Sequence, residues 1–126
     1  MYLLGALVHI ALGTLAPAVY AEFANQALLS LYRDVWGDFI VPNLAVLHPL
    51  VVVFEFTVGV ALLRRGHMVL AGHAAGAVFQ AGLIFSGPWG PMNALLALPH
   101  LAARRLSYPT TVGTFLRRQF GRRLRQ

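Results

Sequence analysis

The chain has no cysteine and no lysine, and only four of its 126 residues are acidic. The missing cysteine excludes disulfides, thiolate metal ligands and any relay between a disulfide and a quinone. Charged residues make up 11% of the sequence, against roughly a quarter in ordinary soluble domains, while 58% are hydrophobic. That balance does not belong to an ordinary water-soluble domain. Charge is almost absent from three stretches, residues 1–21, 39–63 and 66–103.

A membrane-spanning helix needs about 20 apolar residues. The third stretch is too long for one span and too short for three, and Ser86-Gly87-Pro88-Trp89-Gly90-Pro91 divides it. The sequence therefore predicts an all-α membrane protein, a four-transmembrane-helix bundle with spans at about 2–20, 41–63, 67–85 and 91–106. Residues 1–108 form the transmembrane domain and 109–126 a basic tail. The first stretch lacks a basic leader, and Gly5 and His9 interrupt its apolar centre, so a retained span is expected rather than a cleaved signal.

All ten basic residues are arginine, and the net charge is +6. Such a charge suits nucleic acid, but its distribution argues against that partner. With the N-terminus inside, the turn Arg64-Arg65-Gly66-His67 and the whole tail share one face, leaving Arg33 outside with Glu22, Asp34 and Asp38. The positive-inside rule then puts both termini in the cytoplasm, N-in and C-in, of an expected prokaryotic cytoplasmic membrane. The lipid bilayer and other membrane-protein subunits are the expected partners.

Two segments are amphipathic. Leu28, Leu31, Tyr32, Val35, Trp36 and Phe39 recur at helical spacing after the first span, predicting an external interfacial helix with Trp36 at headgroup depth. In the tail, Val112, Phe115, Leu116, Phe120 and Leu124 fall on one side and Arg117, Arg118, Arg122 and Arg125 mostly on the other, with Arg123 breaking the pattern. This basic amphipathic C-terminal helix is expected to rest on anionic inner-leaflet lipids, each arginine contributing roughly 1 kcal/mol. Trp36, Arg117, Arg118, Arg122 and Arg123 are the candidate membrane-surface residues.

The polar residues inside the apolar stretches are few. His9, His48, His73 and His100 stand within them, and Glu55 is the only acidic residue there. Ionisable groups in hydrocarbon are expensive, so they face the bundle interior and mark functional pathways. Gly5, His9 and Gly13 form one stripe of the first span, and His48, Val52, Glu55 and Gly59 one stripe of the second. His73, Gly76 and Gln80 share a face of the third, and Asn93, Ala97 and His100 a face of the fourth. Counting helix rise from the inner surface predicts that His9, Glu55, His73 and His100 line one cavity in the inner half. By the same count His48 stands apart near the outer mouth, with Asn43, Asn93 and Gln80 as companions.

Several roles suit such a cluster. It can tie helices together through interhelical hydrogen bonds, which average under ~1 kcal/mol in membranes. It can bind a ligand such as a quinone headgroup, because a histidine beside a carboxylate both donates and passes protons. It can hold haem b, with His73 and His100 as the axial pair. It can also form a proton or solute path. The candidate ligand-binding residues are His9, Glu55, His73, His100 and Gln80.

The run Glu55-Phe-Thr-Val-Gly59-Val-Ala-Leu-Leu-Arg-Arg-Gly66 resembles the Glu-x-x-x-Gly hairpin of DoxX-like membrane proteins. The segment Ser86-Gly87-Pro88-Trp89-Gly90-Pro91-Met92-Asn93 is similar to the loop before their last span, and the likeness covers residues 1–105. It implies a small or accessory subunit of a membrane redox or electron-transfer complex, with no complete active site of its own. Only Glu55 and Gly59 match as positions.

Overall fold

A computed structural model describes residues 1–123, with side chains through Phe120. All regular elements among the described residues are helical. They are α1 (Tyr2–Leu15), α2 (Val19–Gln26), α3 (Ser30–Val35), α4 (Leu44–Leu62), α5 (His67–Gly82), α6 (Gly90–Ala103) and α7 (Val112–Arg123). The all-α class expected from the sequence holds.

The first span was expected to run to residue 20, but α1 stops at Leu15. The cause is Pro17. It disfavours helical geometry at the residue before it, and Ala16 leaves the helix at φ −147°. The chain then turns by 107° into α2. The external segment is not one helix either. Ala27 and Leu29 are extended, and Leu28 donates its amide to the Phe85 carbonyl, which separates α2 from α3.

α3 runs on into α4 without a turn. A π-helical stretch at Trp36–Ile40 and a 3₁₀ turn at Val41–Asn43 join them, and the whole Ser30–Leu62 segment is a 33-residue helix. Pro42 explains the irregularity, since it has no amide for the i→i−4 ladder and its ring crowds the carbonyl four residues back. The bonds widen before it and tighten after it. Trp36 does not lie free at a surface; its indole donates to the Tyr20 carbonyl at 2.7 Å and its ring meets Phe23 edge-on.

Ser30–Leu62 is long and apolar enough to cross a membrane, with mean hydropathy 2.0. The bent pair α1 and α2 passes the same test when taken together. One or two such helices is therefore the count by length and composition.

α4 packs against α1 on one side and α5 on the other, and α6 packs against α5. Gly66 makes the tight α4–α5 turn at φ +57° and donates its amide to the Tyr108 carbonyl at 2.8 Å. Val112 reaches the Leu63 carbonyl, so the start of α7 is pinned to that same turn. α7 is helical as expected, and Phe115, Leu116 and Phe120 are exposed along it. The expected surface roles of Arg122, Arg123, Leu124 and Arg125 fall outside the residues whose side chains are described.

Small residues set the helix spacing. Gly5 of α1 faces the Glu55 carboxylate, Gly13 faces the His48 ring, and Gly59 of α4 faces Leu3. These three contacts run in opposite order along the two helices, so α1 and α4 are antiparallel. The buried apolar residues are mostly small: Ala6, Ala61, Ala77 and Ala97 among them. Large apolar side chains point outward instead, with Leu15 85% and Val78 74% exposed.

Candidate functional site

Three polar side chains are buried among the small apolar residues of the interior. Glu55 is only 6% exposed, Gln80 5% and His100 7%. The expected grouping of His9, Glu55, His73 and His100 divides into two clusters, His9 and Glu55 with His48 and Tyr20 in one, His73 and His100 with Tyr108 in the other.

The first cluster lies between α1, α2 and α4. His9 Nε2 stands 3.9 Å from Glu55 Oε2, and His9 Nδ1 is 2.8 Å from the Tyr20 hydroxyl. If Tyr20 donates to Nδ1, the imidazole proton sits on Nε2 and points toward the carboxylate. His48 donates from Nε2 to the His9 carbonyl at 2.7 Å, and its ring lies 5.5 Å from that of Tyr20. A neutral His48 therefore keeps Nδ1 as a free acceptor. His48 does not stand apart from His9, as depth counting predicted. In an antiparallel pair His9 falls between the levels of Glu55 and His48, about one turn from each. The expected companions lie elsewhere: Asn43 caps the Phe39 carbonyl, Asn93 the Leu83 carbonyl, and Gln80 bonds Tyr2.

The second cluster lies between α5, α6 and the segment before α7. His73 Nδ1 and His100 Nδ1 are 2.9 Å apart, and His73 Nε2 is 3.2 Å from the Tyr108 hydroxyl. Tyr108 also reaches the Ala103 carbonyl at 2.8 Å. Two neutral arrangements satisfy the histidine–histidine bond. In one, Tyr108 donates to Ala103, His73 Nε2–H donates to Tyr108, and His100 Nδ1–H donates to His73. In the other, Tyr108 donates to His73 Nε2 and His73 Nδ1–H donates to His100.

Tyr2 packs beside the second cluster and is 2% exposed. Its hydroxyl donates to the Gly76 carbonyl at 3.0 Å and accepts from Gln80 Nε2 at 3.4 Å, while its ring packs 5.4 Å from that of His100. Two buried oxygens, Glu55 Oε2 and Gln80 Oε1, have no hydrogen-bond partner among the described residues. Buried polar atoms of that kind are rare and suit a donor from a water or ligand. Sequence reading missed Tyr2, Tyr20 and Tyr108. Tyr2 sits seven residues before His9 on the same face of α1, a spacing that was available as a signal; the other two lie outside the regular spans and gave none.

The His73–His100 pair does not fit haem. Axial ligation puts iron between two ring nitrogens at about 2 Å from each, with a porphyrin separating the rings. Here the nitrogens share one hydrogen bond and no gap separates the rings. Among the described residues, no three His, Asp or Glu side chains converge as a metal site requires.

Two openings reach the clusters. A cleft of about 240 Å³ is lined by Gly13, Pro17, Tyr20, Ala45, His48 and Pro49. Pro49 has no amide, so the Ala45 carbonyl lacks its helical donor there. A groove of about 420 Å³ opens at the other end, beside Arg64, His73, Tyr108 and Phe115. Comparison with protein-family profiles, with characterised proteins and with solved structures finds no match to this chain.

Proposed function

We propose that this chain is a four-span integral membrane protein that binds a quinone-type headgroup and serves as a small accessory subunit of a membrane redox complex. The inverted distribution of side chains carries the membrane reading. Exposed apolar surface costs about 25 cal/mol per Å² in water. In lipid it costs nothing, and polar groups gather inside. That pattern extends over α5 and α6, where Val78, Leu95 and Leu98 point outward.

α5 has 16 residues and α6 has 14, about 24 and 21 Å of helix. Local thinning of the bilayer accommodates short spans, and Arg64, Arg65, Arg104 and Arg105 can snorkel at their inner ends. The arginine-rich end then faces the cytoplasm, with α7 on anionic lipid and the outward faces of α3 and α7 available to partner subunits.

The cleft at His48 supports the ligand reading. Its wall is apolar, with a hydroxyl from Tyr20 and acceptors from His48 Nδ1 and the Ala45 carbonyl. A quinone carbonyl accepts from the Tyr20 hydroxyl in the tautomer where His9 Nδ1–H donates to Tyr20, and quinol hydroxyls pair with the other two. Electron transfer belongs to the partner complex, in line with the DoxX-like resemblance. Protein purified from its membrane in mild detergent is expected to yield quinone on organic extraction. His48→Ala should weaken retention roughly tenfold, about 1.4 kcal/mol for one lost buried hydrogen bond. Equal retention by the variant, or an extract without quinone from the native protein, contradicts the ligand reading.

A further inference from the structure

The two clusters lie in series between the cleft and the groove. We propose that this seam conducts protons across the bundle: Tyr20, His9, Glu55, the Tyr2–Gln80 pair, His100, His73, Tyr108. The inference rests on the membrane reading above and is independent of the quinone.

Geometry supports each end. Tyr20 lines the cleft and is bonded to His9, while Tyr108 and His73 line the groove and are bonded to each other. Along α4, the distance from His48 beside the cleft to Leu62 beside the groove is about 21 Å at roughly 1.5 Å per residue. The openings and the seam together therefore cover most of a hydrocarbon core about 30 Å thick.

Each hop breaks one N–H or O–H bond and makes another, so no co-reactant is consumed. A proton arriving at His9 Nδ1 releases the one on Nε2 toward Glu55. At the far end, a proton reaching His100 Nε2 releases Nδ1–H to His73, which releases Nε2–H to Tyr108. The two arrangements open to His73, His100 and Tyr108 are the states before and after such a passage. Return to the starting arrangement needs both imidazole rings to rotate so that their nitrogens exchange places, while the Tyr108 hydroxyl turns from His73 Nε2 back to the Ala103 carbonyl, both within reach.

Three intervals have no hydrogen bond among the described residues: His9 to Glu55, which stand 3.9 Å apart, Glu55 to the Tyr2–Gln80 pair, and Tyr2 to His100, whose rings lie 5.4 Å apart. The two oxygens without a partner among the described residues, Glu55 Oε2 and Gln80 Oε1, belong to the groups on either side of the middle interval. Gly5 and Gly76 let the groups on either side pack directly against the helix backbones. A Cβ on Gly5 would lie 2.6 Å from Glu55 Oε1, and one on Gly76 would lie 2.7 Å from the Tyr2 hydroxyl and 3.0 Å from His100 Cε1. The proposed path holds a bridging water in the middle interval, donating to both oxygens. Simple helix tethering needs neither the unpaired oxygens nor the tyrosine at each mouth.

The test uses the full chain in phosphatidylcholine vesicles that enclose a pH-sensitive dye, with the potential clamped by valinomycin and potassium. The wild type is expected to dissipate an imposed pH difference well above empty vesicles, without passing sodium. Glu55→Gln keeps the shape but cannot take up and release a proton, and should lower the flux about a hundredfold. Tyr108→Phe, a milder change, should lower it as well while the protein elutes and melts as the wild type does. Flux equal to that of empty vesicles, a leak shared with sodium, or full flux through Glu55→Gln overturns the inference. Resistance to alkaline carbonate extraction, measured on the same vesicles, separates the two readings. Protein that stays inserted but conducts nothing refutes the seam alone, and protein that is stripped off refutes the membrane reading with it. Flux without extractable quinone upholds the seam and removes only the quinone.

Discussion

Tyr2→Ala should destabilise the folded protein by about 3 kcal/mol, the lower end of the cost of removing a buried aromatic ring. Tyr2 is 2% exposed and meets Phe79, His100, Gln80 and the Gly76 carbonyl. In water the loss would be larger. In lipid the transfer part falls away, because the unfolded helices remain in an apolar medium, and the lost packing and hydrogen bonds are what is left. Tyr2→Phe isolates the hydroxyl and should cost about 1 kcal/mol. It leaves Gln80 with neither end of its amide paired, since Gln80 Oε1 already lacks a partner. The double variant Tyr2→Phe, Gln80→Leu should therefore recover stability relative to Tyr2→Phe alone. Thermal melting in one detergent checks the series. A Tyr2→Ala midpoint equal to the wild type would show that this contact does not hold α1 to α5 and α6.

Gly90→Ala is expected to be comparably damaging, by about 3 kcal/mol at the upper end of overpacking costs. A Cβ there collides with the Ile84 carbonyl oxygen, which is backbone and cannot swing aside. At Gly13 the colliding atoms belong to the His48 ring, and at Gly5 to the Glu55 carboxylate, so both sites can yield by moving a side chain. Gly13→Ala and Gly5→Ala should cost less in stability, although they disturb the polar clusters. Gly82 and Gly113 meet nothing within 4 Å, and alanine there should be neutral or stabilising by up to about 1 kcal/mol through helix propensity. The ordering from Gly90 through Gly5 and Gly13 to Gly82 is the expected result, read by melting under identical conditions. A Gly90→Ala protein as stable as Gly82→Ala contradicts the placement of the loop before α6.

Much of the helix packing was legible because it follows from periodicity. Gly5, His9 and Gly13 share a stripe, and their partners Glu55 and His48 share the facing stripe, so residue spacing alone brings them together. The level of each histidine was not legible. Counting rise from an assumed surface treats helices as straight and flush, whereas α1 ends early at Pro17 and α4 continues a helix that starts at Ser30. The external segment differs as well, broken by extended backbone at Ala27 and Leu29 and continuous with α4 in its second half. The tyrosines were invisible for a different reason. A phenol among apolar residues looks like core or interface, and only three-dimensional contact shows that Tyr20 and Tyr108 each complete a histidine's hydrogen bond.

The absence of cysteine makes the membrane topology directly measurable, because every introduced thiol is the only one in the chain. In sealed vesicles, Ser30→Cys and Ser86→Cys are expected to react with an impermeant maleimide from one side, and Arg65→Cys and Ser107→Cys from the opposite side. Reaction of all four from the same side of intact vesicles would contradict the four-span bundle on which the seam depends.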